Sequence, residues 1–437
     1  MTYLLNIGLF TLAIFSISKW SKGFPLEKYL FYVLIIRLLA GIAVTAVYLF
    51  YYKEGDLVYM FHQGKLLKQM LWENPIDFWK FPHTEVPMHQ YYFGAYKDLN
   101  SRLLFFVKII SLVNLLTNDN IWLTSLWFSL FGFLGFWYCA NVLMRLFPES
   151  KVAILFSFFL CPSVVFWSSS LLKESLLCSA VCFCVGIFLE GYVLRQGNIH
   201  FKSLRFLSRN SIKIGFFFCC LYLILQIKYY YLAALLPILI AYLSVDYIQK
   251  KKQLKPHQQV FAFFTVLFFV AFLASFTHPN FHLAYFLIAL NDGYKEAFES
   301  TDADNLIYLH DFKPTIWSLL KNTPQALFAS LAEPLAWEAE NNPLKLLAAL
   351  ENLFLYAVFI FTAKISLRWQ KNSLILLACL TYIGILAVFL AVSMPSIGTL
   401  VRYKAGFLPF WAYLLTYWFR LPWRFYSAPK PSLHNQK

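Results

Sequence analysis

Several short stretches of this sequence place charged side chains where apolar runs break, and each has a chemistry open to it. Gly55-Asp56-Leu57-Val58-Tyr59 follows an early apolar run, with Tyr59 and Gln63 at helical spacing beyond the acid. That spacing holds the Asp56 carboxylate at a membrane surface, where it is either a general base for an acceptor hydroxyl or amine, or a solvated loop acid. Lys173-Glu174 follows Pro162-Ser163-Val164-Val165-Phe166-Trp167-Ser168-Ser169-Ser170, a break in an otherwise apolar stretch. An ion pair at such a boundary is costly unless partnered or wetted, which makes both residues candidates and leaves a snorkelling Lys173 beside a solvated Glu174 as the alternative. Arg402-Tyr403-Lys404 puts two cations at the start of the last apolar run. A guanidinium there suits a bidentate grip on phosphate.

Other polar breaks are less specific. Lys228-Tyr229-Tyr230-Tyr231 taken alone reads as an interfacial anchor. Pro82-His83-Thr84-Glu85-Val86-Pro87-Met88-His89 reads as a surface turn sooner than a ligand patch. Trp337-Glu338 closes a segment from Lys313 with amphipathic spacing, and Trp337 can pack on a sugar ring. Glu351-Asn352 lies inside an apolar run, where a carboxylate requires a partner. Asp56 and Glu174 are thus the candidate catalytic carboxylates, and Tyr59, Lys173, Lys228, Trp337, Glu338, Arg402, Tyr403 and Lys404 the candidate substrate contacts.

The elements that must position these residues follow from composition. Of 437 residues, 60% are hydrophobic, 20% aromatic and 14% charged, with mean hydropathy +0.59. Soluble domains are about a quarter charged, so this chain needs lipid to solvate its apolar surface. Crossing about 30 Å of hydrocarbon takes roughly 20 apolar residues. Suitable runs are Tyr3 to Ile17, Tyr29 to Tyr51, Ile121 to Leu143, Val152 to Trp167, Leu171 to Leu194, Ile212 to Ile227, Tyr229 to Tyr247, Val260 to Thr277, Leu344 to Thr362, Leu374 to Val392 and Leu400 to Phe419. The expectation is an all-α, polytopic membrane bundle of about ten or eleven crossings in one domain, residues 1–420, followed by a short basic cytoplasmic tail, 421–437. The first run lacks a basic region ahead of it and reads as a retained span. Leu103 to Leu116, interrupted by Lys108, reads as an interfacial or re-entrant helix.

Basic residues cluster after the first run, between Arg195 and Lys213, at Lys250 to Lys255, between Lys364 and Lys371, and beyond Arg420. Cytoplasmic loops carry such excess, so these lie inside, and the loops 52–120 and 279–343, with their amphipathic helices, lie outside. The net charge of +15 is accordingly a topology and anionic-lipid signal, and scattered basic loops exclude a nucleic-acid partner. All eight cysteines fall in apolar runs without metal or disulfide spacing, and no Walker A loop or GxGxxG is present.

Gly55-Asp56 with Tyr59 resembles the first-loop acidic motif of the GT-C superfamily of polyprenyl-phosphate-sugar-dependent glycosyltransferases. Arg402-Tyr403 ahead of Pro409 is similar to the Arg-Tyr-x-x-x-x-Pro pattern of its bacterial members. The stretch from Pro162 to Glu174 looks like one in bacterial envelope proteins of surface-polysaccharide type. The resemblance covers these three motifs and the general plan, with one span more ahead of the acidic loop than the family usually has. It implies Asp56 as catalytic carboxylate, Arg402 on the donor phosphate, a polyprenyl-phosphate-linked sugar as substrate, and a multi-pass protein of the bacterial cytoplasmic membrane. Metal use varies across the superfamily, so a divalent cation is a possible cofactor. A polysaccharide polymerase or ligase, and a flippase for lipid-linked saccharide, remain rival readings of the same charges.

Overall fold

The computed structural model describes residues 2–53, 55–80, 101–193, 204–277, 282–302, 305–339, 342–363 and 373–417. The His83 to His89 patch and the tail 421–437 lie outside them. In lipid every backbone polar group must be satisfied within its own segment, and helices do this. Those formed are α1 (Thr2–Trp20), α2 (Leu30–Ala46), α3 (Asp56–Glu73), α4 (Pro75–Lys80), α5 (Ser101–Thr117), α6 (Ile121–Leu146), α7 (Lys151–Leu155), α8 (Pro162–Trp167), α9 (Lys173–Phe188), α10 (Leu204–Lys252), α11 (Pro256–Ala274), α12 (Leu283–Ser300), α13 (Ile316–Ala332), α14 (Pro343–Thr362), α15 (Ser373–Ser393), α16 (Ile397–Tyr403) and α17 (Leu408–Thr416). The architecture is an all-α polytopic bundle, with 8 helices among the described residues long and apolar enough to span a membrane.

α6 is the central helix, buried along most of its length, whereas α1 presents nearly all of its side chains outward. Small residues let the neighbours of α6 approach closely, as in other membrane bundles. A Cβ on Gly135 would lie 2.1 Å from the Ser179 carbonyl oxygen of α9, and one on Gly41 of α2 would meet Ser129 Oγ at 2.0 Å.

α10 doubles back on itself. Lys228 has non-helical φ −146° and ψ 88°, and both arms run along α9. On the first arm Lys213 pairs with Glu190 at 2.6 Å and Phe216 packs on Phe183; on the second Tyr242 packs on Phe188. Lys228 itself meets Glu174 at the opposite end of α9. The two arms are therefore the two separate spans expected on either side of Lys228.

Two expected spans are interrupted. The run from Val152 to Trp167 is α7, a π-helical turn (Phe156–Leu160) and α8, and the last run is split into α16, a 3-10 turn (Lys404–Gly406) and α17. The loop helices pack on the bundle. α5, expected as re-entrant or interfacial, turns Asn114 and Thr117 onto Thr124 of α6 at 2.9 and 2.7 Å. α13 has the expected two faces, with Trp317 and Phe328 exposed and Asn322, Ala326 and Ala329 buried. Ser330 Oγ donates to the Ala387 carbonyl of α15 at 2.6 Å.

Candidate functional site

Five elements bring charged or hydrogen-bonding side chains to one place. At the end of α2 the helix widens into a π turn (Val47–Tyr51) that carries Tyr48, and π turns let a side chain leave the regular helical register. Gly55 then takes φ +117°, a conformation that L side chains avoid, and its Cα lies so close to the Tyr48 ring that a Cβ would stand 3.1 Å from it. This turn starts α3 at Asp56, whose carboxylate sits where the helix dipole favours negative charge. Tyr59, one turn farther on, is exposed.

Arg402, at the end of α16, reaches across to these residues. One terminal nitrogen donates to Asp56 Oδ2 at 2.8 Å and to Tyr403 Oη at 3.1 Å, and the other to Tyr48 Oη at 3.0 Å. Its Nε is buried and lacks a protein partner among the described residues. The Asp56 side chain is 60% exposed against 14% for Arg402, so the pair forms a mouth with the acid outermost.

Beneath the mouth lies a sealed pair. Lys228 Nζ donates to Glu174 Oε1 at 2.9 Å and stands 3.1 Å from the centre of the Tyr403 ring, a cation–π contact. Tyr231 donates to the Tyr403 carbonyl at 3.0 Å. It fits because residue 406 is glycine; a Cβ there would stand 2.1 Å from the Tyr231 ring. Lys173, in the first turn of α9, lies within electrostatic reach of the Lys228, Glu174 and Asp56 charges. The structure thus brings Asp56, Lys173, Glu174, Lys228, Arg402 and Tyr403 together from distant parts of the chain.

The positions of Glu174 and Lys228, and of Lys404 outside this cluster, differ from those expected. Glu174, with a side chain 3% exposed, is held by Lys228 as that lysine's counter-ion. Lys228 is buried within the protein, not an anchor at the lipid interface. Lys404 points away from Arg402, because residues two apart on a helix face opposite ways. It donates to the Glu333 carbonyl instead and lines a small cavity with Glu351, Asn352 and Ser163. Glu351 finds its expected partners there, accepting from Ser163 N at 2.7 Å and Cys161 Sγ at 3.3 Å. Burial, reinforced by the neighbouring Glu338 carboxylate, raises the Glu333 carboxyl above the ordinary range. Trp337 is 77% exposed, and Glu338 accepts from Leu335 N in its own turn, so neither joins the Asp56 cluster.

Arg37 is a buried charge near the site that the sequence reading did not single out. It is the one charge inside the second apolar run, which was the available signal. The residue is 2% exposed, and its guanidinium lies 4.5 Å over Phe136 and donates to the Ser168 carbonyl. Thr45 and Ser129 hold Ser170, at φ +64°, by bonds of 2.8 and 2.9 Å. Together they satisfy the break that aims Lys173 and Glu174 into the site, irregular backbone that lipid alone would not tolerate.

Among the described residues no three His, Cys, Asp or Glu side chains converge, and both carboxylates of the site are held by cations. The described residues thus form no ready-made protein cage for a divalent ion. Comparison of the chain with protein-family models, with curated proteins and with solved structures found no match.

Proposed function

We propose that this chain is an integral membrane glycosyltransferase of the bacterial inner membrane, moving a sugar from a polyprenyl-phosphate-type donor to an envelope acceptor on the extracytoplasmic side. The observation that carries the reading is the Asp56–Arg402 pair at 2.8 Å, an exposed carboxylate joined to a cation whose Nε is buried without a partner among the described residues. An acceptor hydroxyl at this mouth gives its proton to Asp56 as its oxygen bonds to the anomeric carbon. The bond from that carbon to the phosphate oxygen breaks, and the electron pair leaves with the lipid phosphate. Arg402 and Lys173 face the growing negative charge, which is where fixed cations stabilise a transition state most. The Glu174–Lys228 pair, neutral overall, holds the Tyr403 ring beside Arg402.

The test is transfer of radiolabelled sugar from polyprenyl-phosphate donors by the purified protein in lipid, wild type against Asp56→Asn and Arg402→Ala at matched folding. Loss of transfer in both variants is the expected result, and full activity in Asp56→Asn would sink the mechanism. A transport reading is favoured by one feature, the broken helix between Lys151 and Trp167 inside the bundle. Movement of lipid-linked saccharide across vesicles without any transfer would establish it instead.

A further inference from the structure

The start of α16 borders a second cavity, separate from the cluster at its end. This cavity has a volume of about 400 Å³, within the range of small-molecule sites. Its walls come from the two outer connections next to α14 and α16. Leu306 and Ser396 form an isolated antiparallel bridge, and Ile307 N donates to the Pro395 carbonyl at 2.6 Å, which fixes one wall against the other. Asn342 caps α14 through Leu344 N and Lys345 N, both at 3.1 Å. Lys345, only 8% exposed, donates to Asn305 Oδ1 at 2.7 Å and so holds the 305 wall in place.

The chemistry of the lining selects among ligands. Among the described residues the cavity is lined by Thr301, Asp302, Asn305, Lys345, Ser396 and Thr399 together with Asn342 and Gly398, so each described lining residue is polar or glycine. A lipid tail finds no apolar wall here. One cation offset by one carboxylate is a poor grip for a phosphate. Closely spaced donors and acceptors of both kinds suit a ligand with many hydroxyls. Ser396 caps the short helix that carries Arg402 six residues farther on, about 9 Å along its axis at 1.5 Å per residue, the length of one to two sugar rings.

We propose that this cavity is a saccharide-binding subsite, seating the acceptor of the transfer argued above; the acceptor role rests on that reading, and saccharide binding itself does not. Gly398 offers a clean probe, because a Cβ there meets nothing within 4 Å and its backbone is not in the left-handed region. Gly398→Leu fills the cavity without strain, and Asn305→Ala removes a wall contact by a separate route.

Saturation-transfer NMR on the full chain in nanodiscs, with glucose, N-acetylglucosamine and glucuronic acid as probes, tests the subsite directly. At least one sugar should give a signal that both variants reduce several-fold and that Gly8→Ala on α1, where a Cβ meets nothing within 4 Å, leaves intact. No signal from any of the three sugars, or an undiminished signal in Gly398→Leu, overturns the proposal. Binding of bare polyprenyl phosphate, measured on the same samples, reports the Arg402 site separately. Its loss in Arg402→Ala with sugar binding retained shows two sites, and its absence in wild type with sugar binding retained removes the transferase reading but not the subsite.

Discussion

Arg402 commits its two terminal nitrogens to Asp56, Tyr48 and Tyr403 and leaves Nε buried and unpartnered among the described residues. A lysine carries the same charge but a single point of contact, so Arg402→Lys cannot hold all three partners. Transfer should fall by about 10²-fold, the scale expected for misplaced groups, with little change in thermal stability; a variant with wild-type turnover would refute the phosphate role. Asp56→Asn removes the proton acceptor and should cost about 10²–10⁴-fold in turnover at unchanged donor binding. The Glu174–Lys228 pair calls for a different measurement. Its side chains are 3% and 8% exposed, so Glu174→Gln strands a buried ammonium, at a cost of about 3–5 kcal/mol. Adding Lys228→Met should restore much of that stability in thermal unfolding, and equal stability of the single and double variants would show that the two residues are not paired energetically.

At the scale of elements, the site depends on how closely α2, α6 and α9 approach one another. Gly135 on α6 packs onto backbone of α9, with a Cβ position 2.1 Å from the Ser179 carbonyl, and backbone cannot rotate aside as a side chain can. Gly135→Ala should therefore destabilise the bundle by about 1–3 kcal/mol, the usual range for overpacking. Gly8→Ala on α1, where a Cβ meets nothing within 4 Å, is the matched control. Similar melting temperatures for the two variants would contradict this account of the α6–α9 contact. The hairpin at Lys228 is also an element-level device. Its two arms flank α9, which delivers the lysine to the glutamate at the start of that helix.

The whole molecule has a predicted sidedness, set by basic loops inside and by the acidic loop, the proposed saccharide cavity and the Asp56 mouth outside. Trp337→Cys should react with a membrane-impermeant maleimide on intact cells, and Lys252→Cys only after the membrane is opened; the reverse pattern would invert the topology and place the site in the cytoplasm. Composition and run length by themselves determined the helical membrane bundle and most of its spans, because the hydrocarbon thickness and the need to satisfy backbone polar groups leave few other solutions. The same rule marked Asp56, Lys173, Glu174, Lys228 and Arg402, since charge at a membrane boundary is expensive enough to stand out against apolar surroundings. Arg37 was equally legible but lay in mid-run, away from any break. What only the tertiary structure decided is which charges face each other. Asp56 and Arg402 are 346 positions apart, and Lys228 meets Glu174 across 54. Lys404, two residues from Arg402, belongs to another cluster because helical rotation turns it to the opposite face. Pairings of this kind depend on helix rotation and on where chains double back, and spacing along one chain does not encode either.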